Sequence, residues 1–338
     1  MFRTSKVRQL GIALIASMAL FFSAVACSDD SSTPSQDTTS GNTDTGGGNK
    51  DGGGSDTGGG GGDAGTPATA LKVAAIQFGS DQFGQVNNCG TTICALSELI
   101  TNAAKNGAKI IVTPEYAFGQ KTAEVSPDQG EKVIDDSRWP EGKIISSMAK
   151  LAVQLKVTVV FNAITQAGSG SSAKLYNTQL AIGEEGKVLA RHYKFHLFGN
   201  ENTSLTAGDN VTTNFFDTPA GKVGLLICAD IQCIVYGTGP DCPARNLALL
   251  QEYTRQGAVA TFFSAYWTVG PTNAGSSAWW PLNVQKKYAV DAKQWVIAAN
   301  TASGPGQGGG IFKPGGEEVT ASDTGKPAII YGEIPIKK

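Results

Sequence analysis

An α/β layered domain running from about Ala68 to Lys338 is predicted by two observations: apolar runs of strand length alternate with stretches of helical periodicity, and turn residues divide some of those runs into hairpins. A third observation sets its focus. Val223 to Asp230 reads V-G-L-L-I-C-A-D, a continuous apolar run of the kind buried on both faces of a sheet. It delivers Cys228 to the carboxyl end of a strand, where open α/β sheets hold their ligands.

The elements follow in order. Leu71 to Phe78 reads as the first strand. Leu96, Leu99, Ile100 and Ala103 share one helical face, and Gly107 supplies the stop. Lys109 to Thr113 is a second buried strand; Pro114 cannot donate to a ladder, so the strand finishes there with Glu115 at its tip. Ile144, Ile145, Met148, Leu151 and Leu155 mark a second amphipathic helix, followed by a strand at Val157 to Ile164. Tyr176 to Ile182 and Val188 to Phe195 form an antiparallel pair around Gly183-Glu184-Glu185-Gly186 and carry the chain to Lys194. Beyond Cys228, an extended loop at Gln232 to Pro243 leads to a helix over Leu247 to Gln256 that Gly257 closes. A strand at Val259 to Phe263, a helix over Trp279 to Lys293 with Pro281 in its first turn, and a strand at Trp295 to Ala299 follow. Ile311 to Gly316 and Ile329 to Ile336 are expected to make a closing hairpin.

Residues before the domain read differently. Arg3, Lys6 and Arg8 precede an apolar stretch from Leu10 to Val25 that is too short for a spanning helix, and Ala24-Val25-Ala26 stands before Cys27. This pattern resembles a bacterial lipoprotein signal over 1–26, which implies cleavage before Cys27 and its diacylation; an ordinary secretory peptide cut after Ala26 is the alternative. Two or more acyl chains would anchor the protein firmly, at about 0.8 kcal/mol per buried methylene. From Ser28 to Pro67 there is no large apolar residue, so 27–67 is expected to be a disordered tether. The forty residues from Ser28 to Pro67 have a typical reach of roughly 35 Å. The expected setting is the cell envelope, with the protein exported and held to a membrane by its lipid.

Charge excludes one class of partner. The tether holds seven Asp against Lys50, and from Ala68 onward 23 basic residues balance 22 acidic ones. No basic field is available for nucleic acid phosphates. Of six cysteines, setting aside Cys27 as lipidated and Cys228 as free leaves Cys89, Cys94, Cys233 and Cys242. Three pairings are open, and the short spacings favour Cys89 with Cys94 and Cys233 with Cys242. A zinc site from the four is the rival reading, but the spacings are not C-x-x-C and only two histidines exist.

Three strand ends thus offer Glu115, Lys194 and Cys228. A cysteine attacks as its thiolate, so it needs a base within reach and a positive charge beside the anion. Glu115 is the candidate base, Lys194 the charge, and Lys194 with the backbone N–H of Ala229 a candidate oxyanion hole. Singly, a Glu after a strand, a Lys among aromatics and a Cys in an apolar run have bland readings as loop, snorkelling and core residues. His192 and His196 flank Lys194 and offer a Cys–His alternative; in an extended segment all three point to one face.

The blocks I-I-V-T-P-E-Y at 110–116, R-H-Y-K-F-H-L-F-G-N-E-N at 191–202 and F-D-T-P-A-G-K-V-G-L-L-I-C-A-D-I at 216–231 resemble the three signatures of the nitrilase superfamily of carbon-nitrogen hydrolases. K-x-x-L-F-x-x-E-N, F-D-T-P-x-G-K and the ending G-G-I-F-K-P-G-G are similar to the vanin and biotinidase branch. The resemblance implies a four-layer αββα sandwich, a Glu115–Lys194–Cys228 triad, and Glu201 as a second glutamate that orients the lysine or assists the base. It implies hydrolysis of a linear amide through a cysteine thioester, on a substrate that is pantetheine-like or a biotinyl amide, with no metal or cofactor. Asp230 is read as fixing the turn after the nucleophile, Tyr266 and Trp267 as lining the substrate pocket unless they are core aromatics. Tyr116 replaces the acidic residue usual in the vanin branch and is placed at the substrate. Nitrile hydrolysis and a non-catalytic binding protein on the same fold are the alternatives, and the resemblance allows a homodimer.

Overall fold

The computed structural model describes residues 69–119, 123–134, 143–209, 212–236, 246–267, 279–303, 308–322 and 324–336. The lipidation and tether readings, and Cys27 and Cys242 with them, lie outside these residues.

Chain order begins with β1 (Ala70–Gln77), α1 (Thr92–Lys105), β2 (Ile110–Val112), β3 (Ala123–Val125), α2 (Lys143–Leu155), β4 (Thr158–Ala167), β5 (Lys174–Ile182), β6 (Val188–Tyr193) and α3 (Glu201–Ser204). It continues with β7 (Phe215–Thr218), β8 (Gly221–Ile227), α4 (Ala229–Val235), α5 (Leu247–Arg255), β9 (Ala260–Ala265), α6 (Trp279–Ala292), β10 (Trp295–Asn300), β11 (Gly309–Phe312), β12 (Glu318–Ser322) and β13 (Ala328–Pro335). Local chemistry explains several boundaries. Thr91 caps α1 by accepting from the Cys94 N–H at 3.2 Å, and the Cys89–Cys94 disulfide ties the same turn to the loop before it. That bond uses two of the four cysteines the zinc reading needed. The first turn of α2 is satisfied from a distance: the Glu124 carboxylate accepts from Ile144 and Ile145 at 2.9 and 3.0 Å. Gly107 and Gly257 follow α1 and α5 at φ +89 and +66, the left-handed region where glycine carries no steric cost.

Two mixed sheets result. One runs β13-β1-β2-β4-β5-β6, with β3 added beside β4; the other runs β12-β11-β10-β9-β8-β7. The central pairs β1/β2, β2/β4, β8/β9 and β9/β10 are parallel, so their carboxyl ends gather on one side. Alternation along the strands sorts the apolar residues into three layers. Ala74, Ile76, Ile111 and Phe161 face α1 and α2; Leu226, Phe263, Val296 and Ala298 face α4, α5 and α6. Val73, Val112, Val160, Val223, Leu225, Phe262 and Ile297 fill the space between the sheets. Helices cover each sheet on its outside, the layering expected from sequence. Truncating one of the larger inner side chains to Ala should cost about 2–5 kcal/mol.

The strand that ends at Cys228, β8, is fastened from outside by one close approach. A Cβ on Gly224 would run into the Tyr253 ring, while the Tyr253 hydroxyl donates to the Leu225 carbonyl. Only glycine lets α5 lie against β8 in this way.

Two expectations need correction. The closing hairpin is made by β11 and β12 around the turn Lys313–Gly316, whereas β13 crosses to the other sheet and pairs antiparallel with β1, Ala75 opposite Ile330. The apolar face of β13, with Ile330 and Ile334 buried, belongs to the inner layer; the polar strand E-V-T-A-S suits an edge. The region after Cys228 is not a loop from Gln232, because α4 extends to Val235 with Ile231, Ile234 and Val235 buried. No helix among the described residues is long and apolar enough to cross a membrane.

Candidate active site

Glu115, Lys194 and Cys228 meet where the carboxyl ends of the two sheets face each other. Glu115 follows β2, Lys194 follows β6 and Cys228 follows β8, and their exposures are 1%, 2% and 6%. Lys194 Nζ donates to Glu115 Oε1 at 2.7 Å and pairs with Glu201 Oε2 at 2.8 Å. The Cys228 thiol opens onto the same cleft as the Glu115 carboxylate, and each shifts the other's proton affinity.

Cys228 sits at φ 44 and ψ −107, a conformation disfavoured for a residue with a Cβ. Backbone bonds hold it there: its N–H donates to the Ser264 carbonyl at 2.9 Å, and its carbonyl accepts from Ile231 at 3.2 Å. It is the only free cysteine among the described residues. Cys233 is disulfide-bonded, and its expected partner, Cys242, lies outside them. Ala229, wholly buried, starts α4 directly after the thiol.

Electrostatics divide the groups by role. Burial pushes the Glu115 carboxyl above its ordinary value, and Lys194 only partly offsets this. Burial acts against the charge on Lys194, but the neighbouring Cys228, Glu115 and Glu201 hold its pKa well above the ordinary range. Burial, then the adjacent Glu115, raises the Cys228 thiol. Glu201 is also penalised by burial, yet Lys194 and the Tyr116 hydroxyl bring it below the usual carboxylate range. Lys194 with Glu201 is thus a fixed ion pair, and Glu115 is the carboxyl whose proton is labile.

Asp230 joins the two sheets. Oδ1 accepts from the N–H groups of Phe195 and His196 at 3.0 and 2.9 Å and lies 3.2 Å from His196 Nδ1. Oδ2 accepts from Ile227 N–H at 3.2 Å and meets His192 Nε2 at 2.6 Å. One buried carboxylate therefore fastens the Lys194 segment to the turn that carries Cys228. Burial opposes its charge, but His192 and His196 hold its pKa well below the carboxylate range. Both histidines are committed to Asp230, which leaves the Cys–His alternative without its geometry.

A cleft of about 440 Å³ opens onto Glu115, Lys194, Glu201 and Cys228, walled by Tyr116, Ile164, Phe198, Leu205 and Tyr266. The Tyr116 and Tyr266 rings meet edge to face at 6.1 Å. Trp267 is placed elsewhere. It is 6% exposed and packs on Phe263 in the helix-facing core at 5.1 Å, so its reading as a pocket wall is corrected to the core one. A cleft of about 520 Å³ near Gly257, Lys293 and Trp295 holds none of the candidate residues.

Sequence reading missed two asparagines. Asn177 Nδ2 lies 2.7 Å from Glu115 Oε1 and 2.8 Å from Glu201 Oε1, and Asn162 Nδ2 donates to Asn177 Oδ1 at 2.6 Å. A signal was present in β5: Asn177 and Gln179 occupy alternate positions on its buried face, where an inner strand would carry apolar residues. Tyr116, at φ 53, donates its N–H to Asn162 Oδ1 at 2.9 Å and its hydroxyl to Glu201.

A family model described as "Carbon-nitrogen hydrolase" matches residues 72–234, which include Glu115, Lys194 and Cys228. This chain is a carbon-nitrogen hydrolase of the nitrilase superfamily. The omega-amidase NIT2 of Homo sapiens is 28% identical over 287 residues, spanning 80% of the hydrolase described here and 90% of its own length. The chloroplastic omega-amidase of Arabidopsis thaliana is 26% identical over 285 residues, 79% of this chain and 70% of its own. Among solved structures, Saccharomyces cerevisiae Nit3, a member of branch 10 of the nitrilase superfamily, superposes with a TM-score of 0.60 at 22% identity, covering 79% of this hydrolase and 91% of Nit3. An amidase of Nesterenkonia superposes at 0.58 and 15% identity, covering 80% and 92%. These two curated relatives are omega-amidases, not vanins or biotinidases, which corrects the branch expected from the motifs. Those motifs frame the strand ends that carry the reacting groups; the walls that select a substrate lie outside most of them.

Proposed function

We propose that this hydrolase cleaves small linear amides through a thioester on Cys228. The observation that carries the reading is the meeting of Glu115, Lys194 and Cys228 in one open cleft, with Glu115 bonded to the Lys194 ammonium. Glu115 takes the thiol proton, and the thiolate attacks the amide carbon. Lys194, which stays charged, and the Ala229 N–H hold the oxyanion. As the carbon-nitrogen bond breaks, Glu115 passes its proton to the leaving amine. Water then gives a proton to Glu115 as it adds to the thioester; the carbon-sulfur bond breaks, the acid leaves, and the proton returns to Cys228. No step calls on a metal or cofactor.

The curated relatives described above are omega-amidases by name, and the Nesterenkonia amidase has been seen with acrylamide and with the acetamide moiety of fluoroacetamide added covalently at its active site cysteine. Small primary amides are therefore the substrates of choice, ahead of pantetheine-like or biotinyl amides. A panel containing all three, with one nitrile matched to its amide, tests the assignment: preferred release of ammonia from small amides supports it, and preference for the nitrile or for a biotinyl amide overturns it. We also propose that Cys27 is lipidated and holds the protein to the cell envelope; Cys27→Ser should then move it to the soluble fraction.

A further inference from the structure

We propose that Asn177 is a positioning residue for the reaction: by donating one amide hydrogen to each of Glu115 and Glu201, it holds Glu115 in the ionised, base-competent form against Cys228. This rests on the reading of Glu115 as the base. Asn177 is wholly buried in β5 and lies beneath the cleft walls, so it acts through Glu115 and touches no substrate.

The orientation of its amide follows from a chain of bonds that starts on the backbone. The Tyr116 N–H is unambiguously a donor, so the Asn162 atom that meets it at 2.9 Å is the oxygen. The other end of Asn162 is then its NH2 group, which donates to Asn177 Oδ1 at 2.6 Å and to the Thr178 carbonyl at 3.0 Å. Asn177 is left with its NH2 toward the carboxylates. Three acceptors surround that nitrogen: Glu115 Oε1 at 2.7 Å, Glu201 Oε1 at 2.8 Å and Tyr116 Oη at 3.0 Å. It has two hydrogens, and the two carboxylate oxygens are both nearer and stronger acceptors than the phenol oxygen. The two amide hydrogens therefore go to the two carboxylates.

A donor is needed at this point because of the charge count. Glu115 faces Lys194 at the end of β6, Glu201 in α3, Cys228 after β8 and Tyr116 beside it. One lysine serves two carboxylates, the buried Glu115 and the partly buried Glu201. Without a second donor, Glu115 would keep its proton to higher pH and could not accept the one from Cys228. A neutral amide supplies that donor without a second cation, which would hold the carboxylate too weakly basic to deprotonate a thiol.

The test reads the rate of Cys228 alkylation by iodoacetamide across pH, located by peptide mass mapping, so it needs no knowledge of the natural substrate. The wild-type rate rises along an acid limb where the Glu115–Cys228 pair loses its first proton. In Asn177→Ala that limb should move up by about one pH unit or more, which lowers the rate about tenfold on the limb. In Asn177→Asp the new side chain donates only while protonated, so the rate should fall as pH rises, the opposite sign. Where Asn177→Ala is not recovered folded, the isosteric Asn177→Asp decides alone. A wild-type limb in the folded variants, even with a lower unfolding temperature, would overturn the proposal by reducing Asn177 to a core residue. Glu115→Gln separates the two readings: if it keeps the wild-type limb, the assignment of the base fails, whereas its loss beside unchanged Asn177 variants sinks the positioning role alone.

Discussion

The two sheets contribute to the site by different means. The first sheet brings Glu115, Lys194, Asn177 and Asn162, with Glu201 and Tyr116, into one buried hydrogen-bond network in which every side chain is placed by another. The second brings Cys228, held by its own backbone in a strained turn. Proton affinity is tuned on one side and atomic position on the other. A network of that kind degrades by degrees when one member is lost, whereas Cys228 has no substitute, and the Asp230 carboxylate spans the join.

That contrast can be broken at graded cost. Glu115→Gln removes the proton acceptor while keeping the shape, and kcat/KM should fall about 10²–10⁴-fold with the fold intact by circular dichroism. In the wild type, the acid limb of kcat/KM should lie above the ordinary glutamate value of about 4.3, because burial raises Glu115. A limb at or below that value would mean another group accepts the proton.

Asp230→Asn strikes the join. It replaces one of the two acceptor oxygens by an NH2 group, so either the Phe195 and His196 N–H groups on one oxygen or the Ile227 N–H on the other lose their acceptor; both activity and stability should fall, stability by about 3–5 kcal/mol as for other broken buried pairs. The pH dependence gives the sign. Asp230 is depressed in the folded state, so its contribution is complete above the unfolded value of about 3.9 and is lost as pH falls below it. A denaturant midpoint followed from pH 7 downward should drop at acid pH in the wild type, and that component should be missing from Asp230→Asn. Equal acid slopes would remove Asp230 from the account of the join.

Tyr116→Phe deletes only a hydroxyl, one of several donors to Glu201. A loss of about three- to tenfold in kcat/KM is expected, from a single bond to a charged acceptor that keeps other partners. A loss as large as that of Glu115→Gln would show that the network is no more tolerant than the nucleophile.

Legibility in the sequence follows the same division. Glu115, Lys194 and Cys228 stand at the ends of apolar runs, so local pattern places each at a strand tip, and motif spacing brings them together. Asn177 lies inside its strand as one polar letter in K-L-Y-N-T-Q-L-A-I, and its meaning depends on groups 62 and 24 residues away. The final hairpin failed for a related reason. Strand identity is local, but the choice between β11 and β1 as the neighbour of β13 is made by which sheet face buries Ile330 and Ile334. Trp267 was drawn to the pocket by its place after a strand next to Tyr266; the chain turns there, and adjacent side chains part, Tyr266 to the cleft and Trp267 to the core.

The most direct measurement is intact-protein mass spectrometry of the hydrolase quenched in acid during turnover of a small primary amide. The expected result is an acyl adduct on Cys228, the mass of the amide less ammonia, that is absent in Cys228→Ala together with ammonia release, a loss of about 10⁴-fold or more. Sustained ammonia release by folded Cys228→Ala would contradict the thioester and the assignment of the nucleophile with it.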